Sequence, residues 1–101
     1  MKHYIVFLEF SDNFEGRRAA FRNDHLTKAW AAVDRGELVL AGALANPVDE
    51  GIFLFAGDGP DAAQKFVDED PYINNGLVRS WRIREWATTV GKEASNIVRP
   101  D

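Results

Sequence analysis

The segment from Lys2 to Phe10 constrains the fold of this chain more than any other. It is rich in β-branched and aromatic residues, and apolar side chains occupy both of its alternating faces. A strand that is apolar on both faces belongs in the middle of a sheet rather than at an exposed edge. The chain must therefore supply further strands on both sides of this one.

Hydrophobic patterning predicts three more strands and two helices. The predicted elements are a helix from about Phe14 to Arg35, strands over Glu37–Ala45 and Gly51–Ala56, a helix from Asp61 to about Glu69, and a strand over Leu77–Trp86. The order β-α-β-β-α-β predicts an α+β, ferredoxin-like fold over residues 1–87. Residues 88–101 are polar and are predicted to form a C-terminal tail, either loose or in contact with a partner.

Two helices cover only one face of such a sheet, and the other face is also apolar. On the first strand, Ile5 and Phe7 alternate with the apolar residues of the opposite face. On the third strand, Ile52 and Leu54 do the same. Monomeric soluble proteins rarely expose a large apolar surface. We therefore expect a homodimer, or a higher oligomer, in which two sheets pack face to face as a dimeric α+β barrel.

The composition of the chain limits the kinds of molecule that it is expected to bind. A net charge of −4 without a basic stripe argues against nucleic acid, and no apolar stretch is long enough to cross a membrane. The chain has no cysteine, no dinucleotide-binding fingerprint and no cluster of metal ligands. We therefore expect a cytoplasmic protein of one domain that needs no cofactor and no metal.

His25 is the more informative of the two histidines, since His3 lies near the start of the first strand, where a structural role is expected. His25 borders the predicted buried stripe of the first helix, which contains Leu26, Ala29, Trp30 and Val33. The position suits a packing residue. It also suits a general acid/base, because imidazole titrates near neutral pH.

The stretch EDPYINNGL, residues 69–77, follows the second helix. Pro71 disfavours the helical conformation at Asp70, and the two asparagines and the glycine suit a tight turn. Turn chemistry alone accounts for this stretch. Arg17, near the start of the first helix, is either a surface charge or a ligand for an anionic substrate oxygen, two helical turns from His25.

Three stretches resemble the YciI-like (YCII) family. Arg22–Leu26 resembles its R-x-x-H-L helix, Gly36–Ala43 its G-x-L-x-x-A-G strand, and Asp70–Leu77 its D-P-Y/F-x-x-x-G-L signature. The resemblance runs from Tyr4 to about Trp86. It implies a dimeric ferredoxin-like α+β barrel in which His25 and Asp70 face each other in a pocket between the first helix and the sheet.

Within that family the chain is most similar to members that remove chloride from a chlorinated hydroxyhydroquinone during aromatic degradation. The resemblance implies that His25 and Asp70 are catalytic, that Arg17 and Tyr72 bind a small phenolic or quinone-like substrate, and that no cofactor takes part. Two other functions stay open. One is a cofactor-free isomerase or lactone-opening enzyme, and the other is a non-catalytic small-molecule-binding accessory protein.

Overall fold

The structure is a computed structural model that describes residues 1–101. Its elements, in chain order, are β1 (Lys2–Phe10), α1 (Phe14–Arg17), a 3₁₀ helix (Arg18–Ala20), α2 (Arg22–Asp34), β2 (Leu38–Ala43), β3 (Glu50–Gly57), α3 (Asp61–Glu69), α4 (Pro71–Asn74) and β4 (Val78–Trp86). None of these helices is long and apolar enough to span a membrane.

The four strands form one antiparallel sheet in the order β2-β3-β1-β4. The doubly apolar strand β1 therefore lies inside the sheet, as its pattern predicts. Val6 of β1 lies opposite Phe53 of β3 and Ile83 of β4. The prediction of an α+β ferredoxin-like fold is confirmed.

The core lies between the helices and one face of the sheet. Its sheet side is formed by alternate buried residues of the two central strands, Tyr4, Val6, Leu8, Phe10, Phe53 and Phe55. Phe66 and Val67 of α3 are also buried. The other face, here called the open face, carries Ile5, Phe7, Ile52 and Leu54, which are only half-buried.

The first helix is not continuous, contrary to the prediction. Between α1 and α2 the hydrogen bonding changes, and Phe21 donates its N–H to the carbonyl of Arg18, three residues back. The buried ring of Phe14 stacks on Phe10 with a centroid separation of 3.6 Å. This contact anchors the first turn to the sheet, while α2 is positioned by its own packing.

The predicted buried stripe of α2 is right for Ala29 and wrong for Leu26 and Trp30. His25, Ala29 and Ala32 are buried, whereas Leu26 is 39% exposed and Trp30 is 63% exposed. Small alanine side chains let a helix approach its neighbours closely, and a tryptophan on that face would hold it away. The two large side chains instead border a cavity.

The residues after β4 form no helix or strand, but the chain folds back on itself. Thr88 is the centre of the contacts. Its Oγ1 lies 2.7 Å from Nδ1 of His3 and accepts the backbone N–H of Ser95 at 2.8 Å. His3 therefore ties the start of the chain to the segment after the last strand.

Candidate active site

A cavity of about 330 Å³ lies between α2 and β2, and we call it the α2–β2 cavity. Its aromatic floor consists of Phe10, Phe14, Phe53 and Tyr72, and its walls are residues of α2 and β2, with Arg18 and Arg22 at one end. Thirteen of its eighteen lining residues are hydrophobic, and His25 is among the few polar ones. A small, mostly apolar cavity with few polar groups is typical of a site for a small organic ligand.

His25 and Asp70 form a buried pair at this cavity. Nδ1 of His25 lies 2.6 Å from Oδ1 of Asp70, and the carboxylate is completely buried. Oδ2 of Asp70 accepts the backbone N–H of Ile73 at 3.3 Å. Both carboxylate oxygens therefore have partners, as a buried ionisable group requires.

The local sequence explains why Asp70 points inward. Asp70 has the extended backbone, with φ −70° and ψ 123°, that a following proline favours. It is the N-cap of α4, and Pro71 occupies the first turn of that helix. The sequence predicted only a turn here. An aspartate followed by a proline is a known helix-start signal, and it could have revealed α4.

The second ring nitrogen of His25 faces the cavity. Nε2 has no hydrogen-bond partner in the protein, yet no buried side-chain nitrogen or oxygen lacks a partner. Nε2 must therefore be reached from the cavity, which His25 lines. When Asp70 is ionised it can only accept a hydrogen bond, so Nδ1 carries the proton and Nε2 presents a lone pair to a ligand.

Aromatic rings fix the orientation of the His25 imidazole. Tyr72 stacks on it with a centroid separation of 4.0 Å and an interplanar angle of 16°. Phe53 and Phe66 meet the same ring edge-on at 5.8 Å and 6.0 Å. A ring held on three sides keeps Nε2 in one direction, which proton transfer to a bound ligand requires.

The Tyr72 hydroxyl is the polar group of the cavity floor. Burial raises the pKa of this phenol, the positive charges of Arg22 and Arg18 oppose the rise, and the Asp70 carboxylate adds to it. The raised pKa keeps Tyr72 protonated at neutral pH. Its hydroxyl makes no hydrogen bond within the protein, so it can donate one to a ligand.

Arg17 does not line this cavity. Its Nη1 donates to the carbonyl of Gly76 and its Nη2 to that of Asn75, each at 3.2 Å, so its guanidinium closes the turn after α4. The cations that do line the cavity are Arg18 and Arg22. The sequence prediction chose Arg17, because in one continuous helix it would lie two turns before His25.

Among the tryptophans, Trp30 lines the cavity, and Trp81 and Trp86 do not. No three histidine, aspartate or glutamate side chains lie close enough together to hold a metal ion. The polar side chains that line the cavity, and so are available to a ligand, are those of His25, Tyr72 and the two arginines.

Comparison with known proteins gives a family and a set of related folds. Residues 2–87 match the family described as YCII-related domain. No curated protein sequence matches the chain. The fold is similar to that of 5-chloro-2-hydroxyhydroquinone dehydrochlorinase from Burkholderia phenoliruptrix in complex with 2,5-dihydroxybenzoquinone, with a TM-score of 0.71 and 14% identity over 92% of this chain and 99% of that chain.

Two further solved structures share the fold. A NIPSNAP family protein from Agrobacterium tumefaciens has a TM-score of 0.59 and 12% identity, over 93% of this chain and 96% of that chain. An acylphosphatase from Bacillus subtilis has a TM-score of 0.54 and 18% identity, over 98% of this chain and 100% of that chain. These proteins differ in their named functions, so the likeness is one of fold.

Proposed function

The chain belongs to the family of YCII-related domains, and on that premise we propose that it is a cofactor-independent dehydrochlorinase acting on a chlorinated hydroxyhydroquinone. The observation that carries the proposal is the pair at the α2–β2 cavity. Asp70 binds Nδ1 of His25 at 2.6 Å and leaves Nε2 facing an aromatic-lined space. This arrangement suits a residue that takes a proton from a bound ring and returns it elsewhere on that ring.

The proposed reaction is the loss of hydrogen chloride. His25 Nε2 removes the proton of a ring hydroxyl and delivers it to the carbon that bears chlorine, so the carbon that carried this hydroxyl becomes a ketone and the chlorine-bearing carbon becomes saturated. A second hydroxyl then loses its proton, its electron pair forms the second carbonyl through the ring, and chloride leaves with the electrons of the C–Cl bond. The products are a hydroxyquinone, chloride and a proton, so no outside oxidant is needed.

Asp70 and Tyr72 support this chemistry in different ways. Asp70 stabilises the charged imidazole that exists between the two proton transfers. Tyr72 stacks on that imidazole, and its free hydroxyl is available to donate to a substrate oxygen. The likeness of fold to a dehydrochlorinase solved with a dihydroxybenzoquinone supports a ring of this kind as the substrate.

The proposal is tested by chloride release from a chlorinated hydroxyhydroquinone, measured with a chelator present and no cofactor added. We expect the wild-type protein to release chloride and His25→Gln to be at least ~100-fold slower, because a positioned acid/base contributes on this scale. His3→Gln is the matched control, since His3 contacts Thr88 and lies outside the α2–β2 cavity. It should keep the wild-type rate.

Two results would contradict the proposal. One is a folded His25→Gln protein that releases chloride at the wild-type rate. The other is a wild-type protein that binds a dihydroxybenzoquinone but releases no chloride, which would favour a non-catalytic binding protein. Circular dichroism of each variant separates loss of chemistry from loss of folding.

A further inference from the structure

The α2–β2 cavity contains two cations that form no ion pair, although the guanidinium of Arg18 lies over the ring of Phe14, 5.8 Å from its centroid. Arg18 and Arg22 both line it, and neither takes part in any ion pair or side-chain hydrogen bond of the protein. Arg17, Arg35 and Arg79, by contrast, are engaged by carbonyl or carboxylate oxygens. In a chain with a net charge of −4, two unpaired arginines at the end of a cavity form a site for an anion.

The two arginines line the same cavity as Tyr72. Both of their charges act to lower the pKa of that phenol, and the effect of Arg22 is the larger. The ring of Tyr72 in turn stacks on His25. Tyr72 therefore lies in contact with His25 and within the electrostatic reach of both cations.

The wall of the cavity has a charged end and an apolar end. Arg22, Leu26 and Trp30 follow one another at steps of four residues along α2, Arg18 lies in the 3₁₀ helix before it, and all four line the cavity. Residues four apart form one row along a helix, so the cation Arg22 lies at one end of this row and the apolar Trp30 at the other. A ligand that matches this row is an aromatic ring with an ionised oxygen at one edge and an apolar substituent at the other.

We propose that Arg18 and Arg22 form an anion-binding site in this cavity, which holds an ionised oxygen of the ligand's ring beside the Tyr72 hydroxyl. The opposite edge of the ring then faces Leu26 and Trp30, where a chlorine substituent meets apolar surface. The choice of a ring-bound oxygen rests on the proposed function. The role of the arginines rests on their unpaired state and on their position beside Tyr72.

The test measures ligand binding, not turnover. The anionic probe is 2,5-dihydroxybenzoquinone, whose negative charge is shared over two oxygens as in a carboxylate. The neutral probe is hydroquinone, whose phenols ionise near pH 10 as tyrosine does. Affinities at pH 7 are measured by calorimetry for the wild-type protein, Arg18→Gln, Arg22→Gln and the double variant. Lys28→Gln is the matched control, because this lysine is an exposed cation of α2 that lies outside the cavity.

We expect the wild-type protein to prefer the anion, and each cavity variant to bind the anion about tenfold more weakly, on the scale of a lost charge-assisted hydrogen bond. Affinity for hydroquinone should stay within about twofold, as should both affinities of Lys28→Gln. Added salt should weaken the binding of the anion alone.

Unchanged binding of the anion by the cavity variants, equal losses for both probes, or no preference for the anion in the wild-type protein would each overturn the inference. Selective loss of anion binding in a protein that releases no chloride would uphold it while refuting the dehydrochlorinase. The two proposals therefore fail by different results.

Discussion

Asp70 uses both of its carboxylate oxygens, one for His25 and one for the first turn of α4. A carboxylate offers two acceptors, whereas the amide of asparagine offers one acceptor and one donor group. In Asp70→Asn the amide can keep the helix cap only by turning its NH₂ toward Nδ1. Nδ1 must then give up its proton, and the proton moves to Nε2.

We therefore expect Asp70→Asn to lower chloride release at least ~100-fold, because Nε2 loses the lone pair that accepts the substrate proton. Nitrogen NMR of His25 reports the cause directly, with the neutral ring protonated on Nδ1 in the wild-type protein and on Nε2 in the variant. An Asp70→Asn protein with the wild-type tautomer and the wild-type rate would show that the carboxylate does not orient this imidazole.

The buried phenol of Tyr72 predicts how the free energy of unfolding depends on pH. Burial raises its pKa above the ordinary value of 10.0, so above that pH the unfolded chain releases a proton that the folded protein still holds. The free energy of unfolding therefore falls as pH rises from 10.0 toward the raised value. In Tyr72→Phe this part of the fall should disappear, and in Tyr4→Phe it should remain. Urea unfolding at several alkaline pH values measures both, and equal slopes in Tyr72→Phe and wild type would contradict this reading.

Among the helices and strands, sequence patterns predicted correctly those features that depend on one segment of the chain alone. β1 is apolar on both faces and lies inside the sheet, and α3 spans the predicted residues 61–69. The face of α2 could not be read in the same way, because hydrophobicity alone favours burial of Trp30. Which face of α2 is buried depends on how closely the helix packs against its neighbours. The small side chains of its alanines permit the close approach.

The site was predictable to a similar extent. Resemblance to the family brought His25 and Asp70 together, and the structure places them in hydrogen-bond contact. Arg17 was the predicted substrate-binding arginine, whereas Arg18 and Arg22 line the cavity, because the break between α1 and α2 changes which side chains lie near His25. A break anchored by the stacking of Phe14 on Phe10 depends on a contact between two elements, and helical periodicity carries no signal for it.

In the molecule as a whole, the open face of the sheet leaves apolar side chains accessible to solvent. Its half-buried residues Ile5, Phe7, Ile52 and Leu54 lie opposite the helical layer, and only Phe7 has a cation, Arg82, stacked over it at 4.0 Å. We propose that a second copy of the chain covers this face, which makes the protein a homodimer.

We expect sedimentation at micromolar concentration to give a dimer for the wild-type protein and a monomer for Leu54→Asp, because burying an unpaired carboxylate is costly. Lys65→Asp, on an exposed position of α3, is the control and should stay dimeric. A stable wild-type monomer at that concentration would contradict this assembly.

The central claim is that Nε2 of His25 transfers protons to and from a ring bound in the α2–β2 cavity. Its most direct test is the rate of chloride release by His25→Ala, at saturating substrate, with increasing concentrations of free imidazole. The account predicts a rate at least ~100-fold below wild type without imidazole, and a rise with imidazole that fills the vacated space beside Asp70. A folded His25→Ala protein that releases chloride at the wild-type rate, with no response to imidazole, would contradict it.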